Sequence, residues 1–192
     1  KTVGSQAKWL GYIKSETERM TKLTNDLLYL TQMDYSEAKI YSDFNLSETV
    51  SNVILTMEAV IFEHDIHLTD EICPDIIIHG NSGQIAQVVM NLLDNAVKYA
   101  PVKGTIGVSL KKTGHHAVLS VSNSGEGIPA EHLDKIFDRF YRADKSRSRK
   151  NGGYGLGLAI AKAIVNQHNG KIWAESSPDG TTAFKVELPL VK

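Results

Sequence analysis

The 192-residue chain is 42% hydrophobic and 22% charged, with a formal net charge of −1. That is the composition of an ordinary globular protein, and it excludes a global field that would draw the chain to nucleic acid or to an anionic membrane. The single cysteine, Cys73, excludes an intramolecular disulfide and a thiolate metal cluster, and no run of about 18 apolar residues could span a bilayer.

Residues 5–34 read as one long helix. Ile13, Met20 and Leu27 stand seven apart, and Leu23 and Leu30 repeat the interval. Such a narrow seam calls either for partner helices or for the helix's own domain, and its regularity and polar flanks favour partners. DYSEAKIYSDF breaks the pattern and reads as a linker. A second helix is expected from about Ser47 to Glu63, with Val50, Val53, Ile54, Met57 and Ile61 on one side. Strand-like runs follow at HLTDEI and DIIIHG. A third helix starts at Asn81 or Ser82, where Asn81 and Gln84 have capping spacing, and ends before Pro101. GTIGVSLKK and HAVLSVSN, separated by TGH, predict a hairpin. The polar, basic stretch from Asp138 to Gly153 predicts a loop. A last helix, about Leu156 to His168, leads to the strands KIWAESS and TAFKVELPLV around the turn PDG. The expected fold class is α/β (α+β): a two-layer sandwich with a mixed, mostly antiparallel sheet packed against helices, preceded by one long N-terminal helix.

Three segments carry chemistry. On a helix, Asn91, Asn95 and Lys98 of NLLDNAVKY share one face, while Val88, Leu92, Ala96 and Tyr99 turn to the other side and can bury. Amide oxygens and an ammonium suit a polyphosphate with Mg²⁺, which keeps phosphates and waters in its shell; a solvated helix face is the alternative. SNSGEGIP (122–129) follows a strand, and its spaced glycines allow a tight turn and close ligand approach. GGYGLGLAIAKAI (152–164) places glycines at a helix start, whose free N–H groups bind anions. It is not a P-loop, and its G-x-G-x-G spacing differs from the dinucleotide fingerprint.

In this order the three segments resemble the Bergerat-type ATP-binding fold shared by gyrase, Hsp90, MutL and histidine kinases. KIFDRFYRADKS (135–146) resembles the F box of the histidine kinases, and IKSETERMTKLTNDLLYLTQMD (13–34) the second helix of their dimerisation domain. The resemblance implies a division into residues 1–36, part of a dimerisation and phosphoacceptor region, and residues 37–192, a catalytic domain. It implies ATP and Mg²⁺ as ligands, with Asn95 holding the metal. Asn91 and Arg142 lie toward the phosphates, Lys98 and Tyr99 add a positive and a hydrogen-bonding group, and Asn91, Lys98 and Arg142 form the catalytic set. Gly125, Gly127 and Ile128 line the adenine side; Phe137 and Phe140 anchor one end of an ATP lid. Gly153, Gly155, Leu156, Gly157 and Leu158 form its far hinge, and Thr182 in GTTAF contacts the base. The implied partners are a response regulator and a second copy of the dimerisation domain, with no nucleic acid and no membrane contact by this piece. The implied location is the cytoplasmic side of an anchored sensor.

Where the gyrase-like relatives carry a water-activating glutamate, this chain has Asn91, so slow hydrolysis and transfer to another nucleophile are expected. A neutral imidazole is available for that role near pH 7. Two features depart from the family pattern. Asn123 stands where the adenine-reading residue is usually aspartate, and an amide can donate as well as accept. None of the seven histidines (64, 67, 79, 115, 116, 132 and 168) sits in the family's phosphoacceptor context. The chain is therefore expected to bind nucleotide without phosphorylating itself. The runner-up is a regulatory nucleotide-binding module or anti-sigma-type kinase of the same superfamily. The basic run Arg139, Arg142, Lys145, Arg147, Arg149 and Lys150 reads as a solvated loop rather than a nucleic-acid patch.

Overall fold

The computed structural model describes residues 3–35, 41–143, 154–177 and 180–191. Gly153 and Lys145 to Lys150 of the basic run lie outside the described residues, as do the first two residues of the PDG turn and residues 36–40 of the expected linker.

Helix α1 (Val3–Tyr35) is followed by strand β1 (Ser42–Asn45), so the end of the expected linker is a strand. Helix α2 (Leu46–Glu63) is capped by the Asn45 side chain, which accepts from the Glu48 N–H. Strands β2 (His67–Ile72) and β3 (Ile77–Gly80) precede α3 (Ser82–Tyr99). Asn81 caps α3 by accepting from the Gln84 N–H, as its spacing predicts, and the helix stops at Ala100, ahead of Pro101. The hairpin β4 (Thr105–Thr113) and β5 (His116–Asn123) leads to the short α4 (Ala130–Leu133) and a single 3₁₀ turn. Helix α5 (Gly157–Gln167) and strands β6 (Lys171–Ser176) and β7 (Thr182–Pro189) complete the chain.

The main sheet has the order β2-β4-β5-β7-β6, with β2 parallel to β4 and every other pair antiparallel. β1 and β3 form a separate antiparallel pair. Period-two alternation decides which face is covered. Ile106, Val108 and Leu110, then Ala117, Leu119 and Val121, then Phe184, Val186 and Leu188 point inward and are buried. The helices close over them with Ile85, Val88, Val89, Leu92, Leu93 and Ala96 of α3 and Ile160, Ala161, Ile164 and Val165 of α5. The result is the expected two-layer sandwich. Tyr99 departs from its expected burial: at the last turn of α3 it borders the open pocket instead of the core, and the residue is half exposed.

The heptad seam of α1 divides. Leu30 is 2% exposed and Leu23 packs beside it on the domain's core, whereas Ile13 and Met20 are each 60% exposed. The helix is therefore seated on its own domain by one edge and open along the other.

Candidate active site

The inward alternation of β5 and β7 ends on polar residues. Asn123 and Thr182 are Cα partners across the two strands, and both are 4% exposed. Polar side chains at core-facing positions carry a cost unless they find partners, which marks the end of the sheet as a site rather than as packing. These two residues, with Phe184, floor a pocket between the sheet, α3 and the start of α5. Asn123 Nδ2 donates to the Ser124 carbonyl at 2.9 Å, which leaves Oδ1 as the end of the amide that can accept from a ligand.

Gly127 and Ile128 form another part of the wall. Gly127 has φ +74°, and a Cβ there would meet Ser176 Oγ at 2.9 Å; that hydroxyl accepts the Ile128 N–H. Only glycine permits the turn. Gly125 lies behind the wall, packed against the Tyr99 carbonyl.

Asn91, Asn95, Lys98 and Tyr99 line the pocket along α3. The Asn91 amide is engaged at both ends: Nδ2 donates to the Gly157 carbonyl at 3.0 Å, and Oδ1 accepts from Gln87 Nε2 at 2.8 Å. It ties α3 to the start of α5. The Asn95 side chain has no hydrogen-bond partner among the described residues. Lys98 Nζ reaches Asp94 Oδ2 at 2.6 Å. No group of three His, Cys, Asp or Glu among the described residues could hold a metal ion. A cation here would have to complete its shell with phosphate and water around an amide oxygen, and that donor set fits Mg²⁺.

Gly155, Leu156, Gly157 and Leu158 bring the start of α5 into the wall, and no side chain caps that helix. Its first N–H groups are an anion-binding end. The segments around Phe140 and Gly155 meet here: the Phe140 N–H donates to the Gly155 carbonyl at 3.1 Å. Phe140 has φ +65° and Gly155 φ +72°, and a Cβ on Gly155 would sit 2.7 Å from the Tyr141 carbonyl. Arg142 lines the pocket. Phe137 is buried and packs edge-on against Phe184 beneath the site, while Phe140 is 58% exposed and outside the wall.

Several pocket residues escape sequence reasoning. Asp94, Glu126, Tyr141 and Tyr154 stand inside the motif segments themselves, beside the residues singled out there. Lys22 and Asp26 come from α1, and nothing local marks them. Burial holds the Asp26 carboxyl above its ordinary value; Lys22 and Lys98 pull it down and Asp94 pushes it up.

Residues 80–192 match the family described as histidine kinase-, DNA gyrase B- and HSP90-like ATPase. Over 184 residues the chain is 38% identical to sensor protein DltS of Streptococcus agalactiae serotype V, covering 95% of this chain and 46% of that protein. It is 36% identical to sensor histidine kinase WalK of Bacillus subtilis, covering 95% of this chain and 30% of WalK. The chain thus spans less than half the length of these relatives. Among solved structures, the catalytic domain of histidine kinase ThkA superposes with a TM-score of 0.70 at 30% identity, over 79% of this chain and 96% of that one. ThkA in complex with response regulator protein TrrA gives 0.79 at 27% identity, over 100% of this chain and 53% of that one.

Proposed function

We infer that this chain, which belongs to the histidine kinase-, DNA gyrase B- and HSP90-like ATPase family and has the fold of a histidine kinase catalytic domain, binds Mg²⁺-ATP as a phosphoryl donor to a histidine. The observation that carries this reading is the convergence on one pocket of three separate devices. They are the opposed Asn123 and Thr182 on the sheet floor, Asn95 and Lys98 on α3, and the uncapped start of α5.

The roles follow from chemistry. The Asn123 oxygen accepts from the exocyclic amine of adenine, with the Thr182 hydroxyl beside it. Asn95 supplies an amide oxygen to Mg²⁺; the ion, when bound, neutralises charge on the phosphates and draws electrons from the bond that breaks. Lys98, Arg142 and the α5 N–H groups steady the phosphates. Catalysis is then mostly positioning and electrostatics. Asn91 cannot serve as a base, because an amide takes no proton at neutral pH and this one is already tethered at both ends. Asp94 is engaged by two ammonium groups, those of Lys22 and Lys98. Water activation is therefore poor, and the donor waits for an imidazole.

In the whole protein that imidazole belongs to a dimerisation helix preceding α1, and the phosphoryl group passes on to an aspartate of a response regulator. The ThkA–TrrA complex supports such a partner. ATP as donor places the reaction on the cytoplasmic side. No helix among the described residues is long and apolar enough to cross a membrane.

Asn95→Ala tests the assignment. Loss of the single amide ligand should weaken ATP binding about tenfold or more with Mg²⁺ present, and little in its absence. Calorimetry showing equal magnesium-dependent affinity for variant and parent would refute the site.

A further inference from the structure

Two ammonium groups from different helices converge on one carboxylate oxygen at the pocket. Lys98 Nζ of α3 lies 2.6 Å from Asp94 Oδ2, and Lys22 Nζ of α1 lies 3.5 Å from the same atom. The first contact is ordinary helical spacing. The second exists only because α1 is seated on the domain. Leu23 and Leu30 hold that seat from the core side. At the far hinge of the pocket, Arg19 Nε donates to the Tyr154 hydroxyl at 3.0 Å, and its guanidinium stacks 5.2 Å from the Tyr154 ring centroid. Lys22 thus reaches the pocket between two fixed points. It belongs to a helix outside the residues that match the ATPase family.

Resting on the nucleotide reading above, we propose that Lys22 is a polyphosphate-binding residue of this site, contributed by α1, and that a phosphate oxygen replaces Asp94 Oδ2 as the acceptor for both lysines. A non-bridging phosphate oxygen is the natural acceptor for two lysines, since each ammonium is a compact point charge that needs no fixed fork geometry. The Asp94 carboxylate limits the repulsion between the paired ammonium groups. A triphosphate brings more negative charge than that single carboxylate, so it can draw both lysines from it. Nucleotide binding and the seating of α1 are then coupled, because Lys22 exchanges a carboxylate of the domain for a phosphate held in the same pocket.

The test uses the 192-residue chain with Lys22→Ala and Lys22→Arg. The Lys22 side chain is 63% exposed, so neither change disturbs the fold. Calorimetric titrations with ATP, ADP and adenosine at low and high salt read the outcome. Lys22→Ala should weaken ATP about three- to tenfold at low salt, weaken ADP less, leave adenosine unchanged and flatten the salt dependence; Lys22→Arg should restore most of the loss. Unchanged ATP affinity overturns the proposal. So does tighter ATP binding, which means that α1 only obstructs the pocket. Equal weakening of adenosine overturns it too, because that reports an unseated helix and not a lost phosphate contact. A parent chain that binds none of the three overturns the functional reading along with it.

Discussion

At Asn123 a single amide is tethered at one end and open at the other. Its Nδ2 bond to the Ser124 carbonyl is worth about 1 kcal/mol net, and in the proposed adenine site that bond would hold Oδ1 as the acceptor. Guanine offers an acceptor where adenine offers a donor, so binding it requires the amide to rotate and give up that bond. ATP should therefore be preferred to GTP by about five- to tenfold. Asn123→Asp replaces a rotatable amide with a group that only accepts, and it should widen the ratio by about another tenfold. Competition titrations with both nucleotides check this; a variant that binds GTP relatively better than the parent would contradict the orientation. Asn91, Asn95 and Lys98 were legible because their chemistry is carried by identity and local period, whereas Asn123 was reached only through the family resemblance. What could not be read was the state of each group. That Asn91 is engaged at both ends and Asn95 at neither depends on Gly157 and Gln87, and so on how α5 meets α3.

Helices and strands were legible where local signals agree. α3 has its cap, its period and its proline stop, and the β4–β5 hairpin has its alternation. β1 was hidden because four residues, Ser42–Asn45, carry no pattern of their own and become a strand only by pairing with β3. The seating of α1 was misjudged in part for a related reason: the regularity of its seam favours a partner helix, yet Leu23 and Leu30 of that seam sit on the chain's own domain. Asp26 reports on that seating. Burial raises its carboxyl above the ordinary aspartate value of 3.8. Between that value and the raised one, the folded chain holds a proton that the unfolded chain has released, so stability falls as pH rises through the interval. Above the interval the cost of the buried charge is fully expressed. Asp26→Asn mimics the neutral form. It should raise the thermal midpoint at neutral pH, with the gain shrinking as pH falls toward the ordinary aspartate range. A variant that is less stable than the parent at neutral pH would show that the Lys22 and Lys98 attractions outweigh burial.

For the whole molecule, the question is which nucleophile the site can reach. Among the described residues no histidine lines the pocket. His168 is the most buried, and its ring is built into the frame: Nε2 accepts the Asn81 N–H at 3.0 Å and Nδ1 bonds to the Ile164 carbonyl at 2.8 Å. His132 is hydrogen-bonded to the Tyr141 hydroxyl, and His79 is paired with Asp43 on the small sheet. A phosphoryl acceptor must approach in line with the breaking bond, so a donor pocket without its own imidazole requires one delivered by another domain. α1 offers the means, because its edge carrying Ile13 and Met20 is open while its other edge is fixed beside the pocket. Incubated alone with Mg²⁺-ATP, this chain should acquire no acid-labile, base-stable phosphate and should release free phosphate only slowly. Supplied with a separately made dimerisation domain bearing its histidine, it should transfer phosphate to that histidine. Phosphohistidine on the isolated chain would mean that one of its own imidazoles reaches the donor. Rapid phosphate release without transfer would point to a hydrolase built on the same pocket.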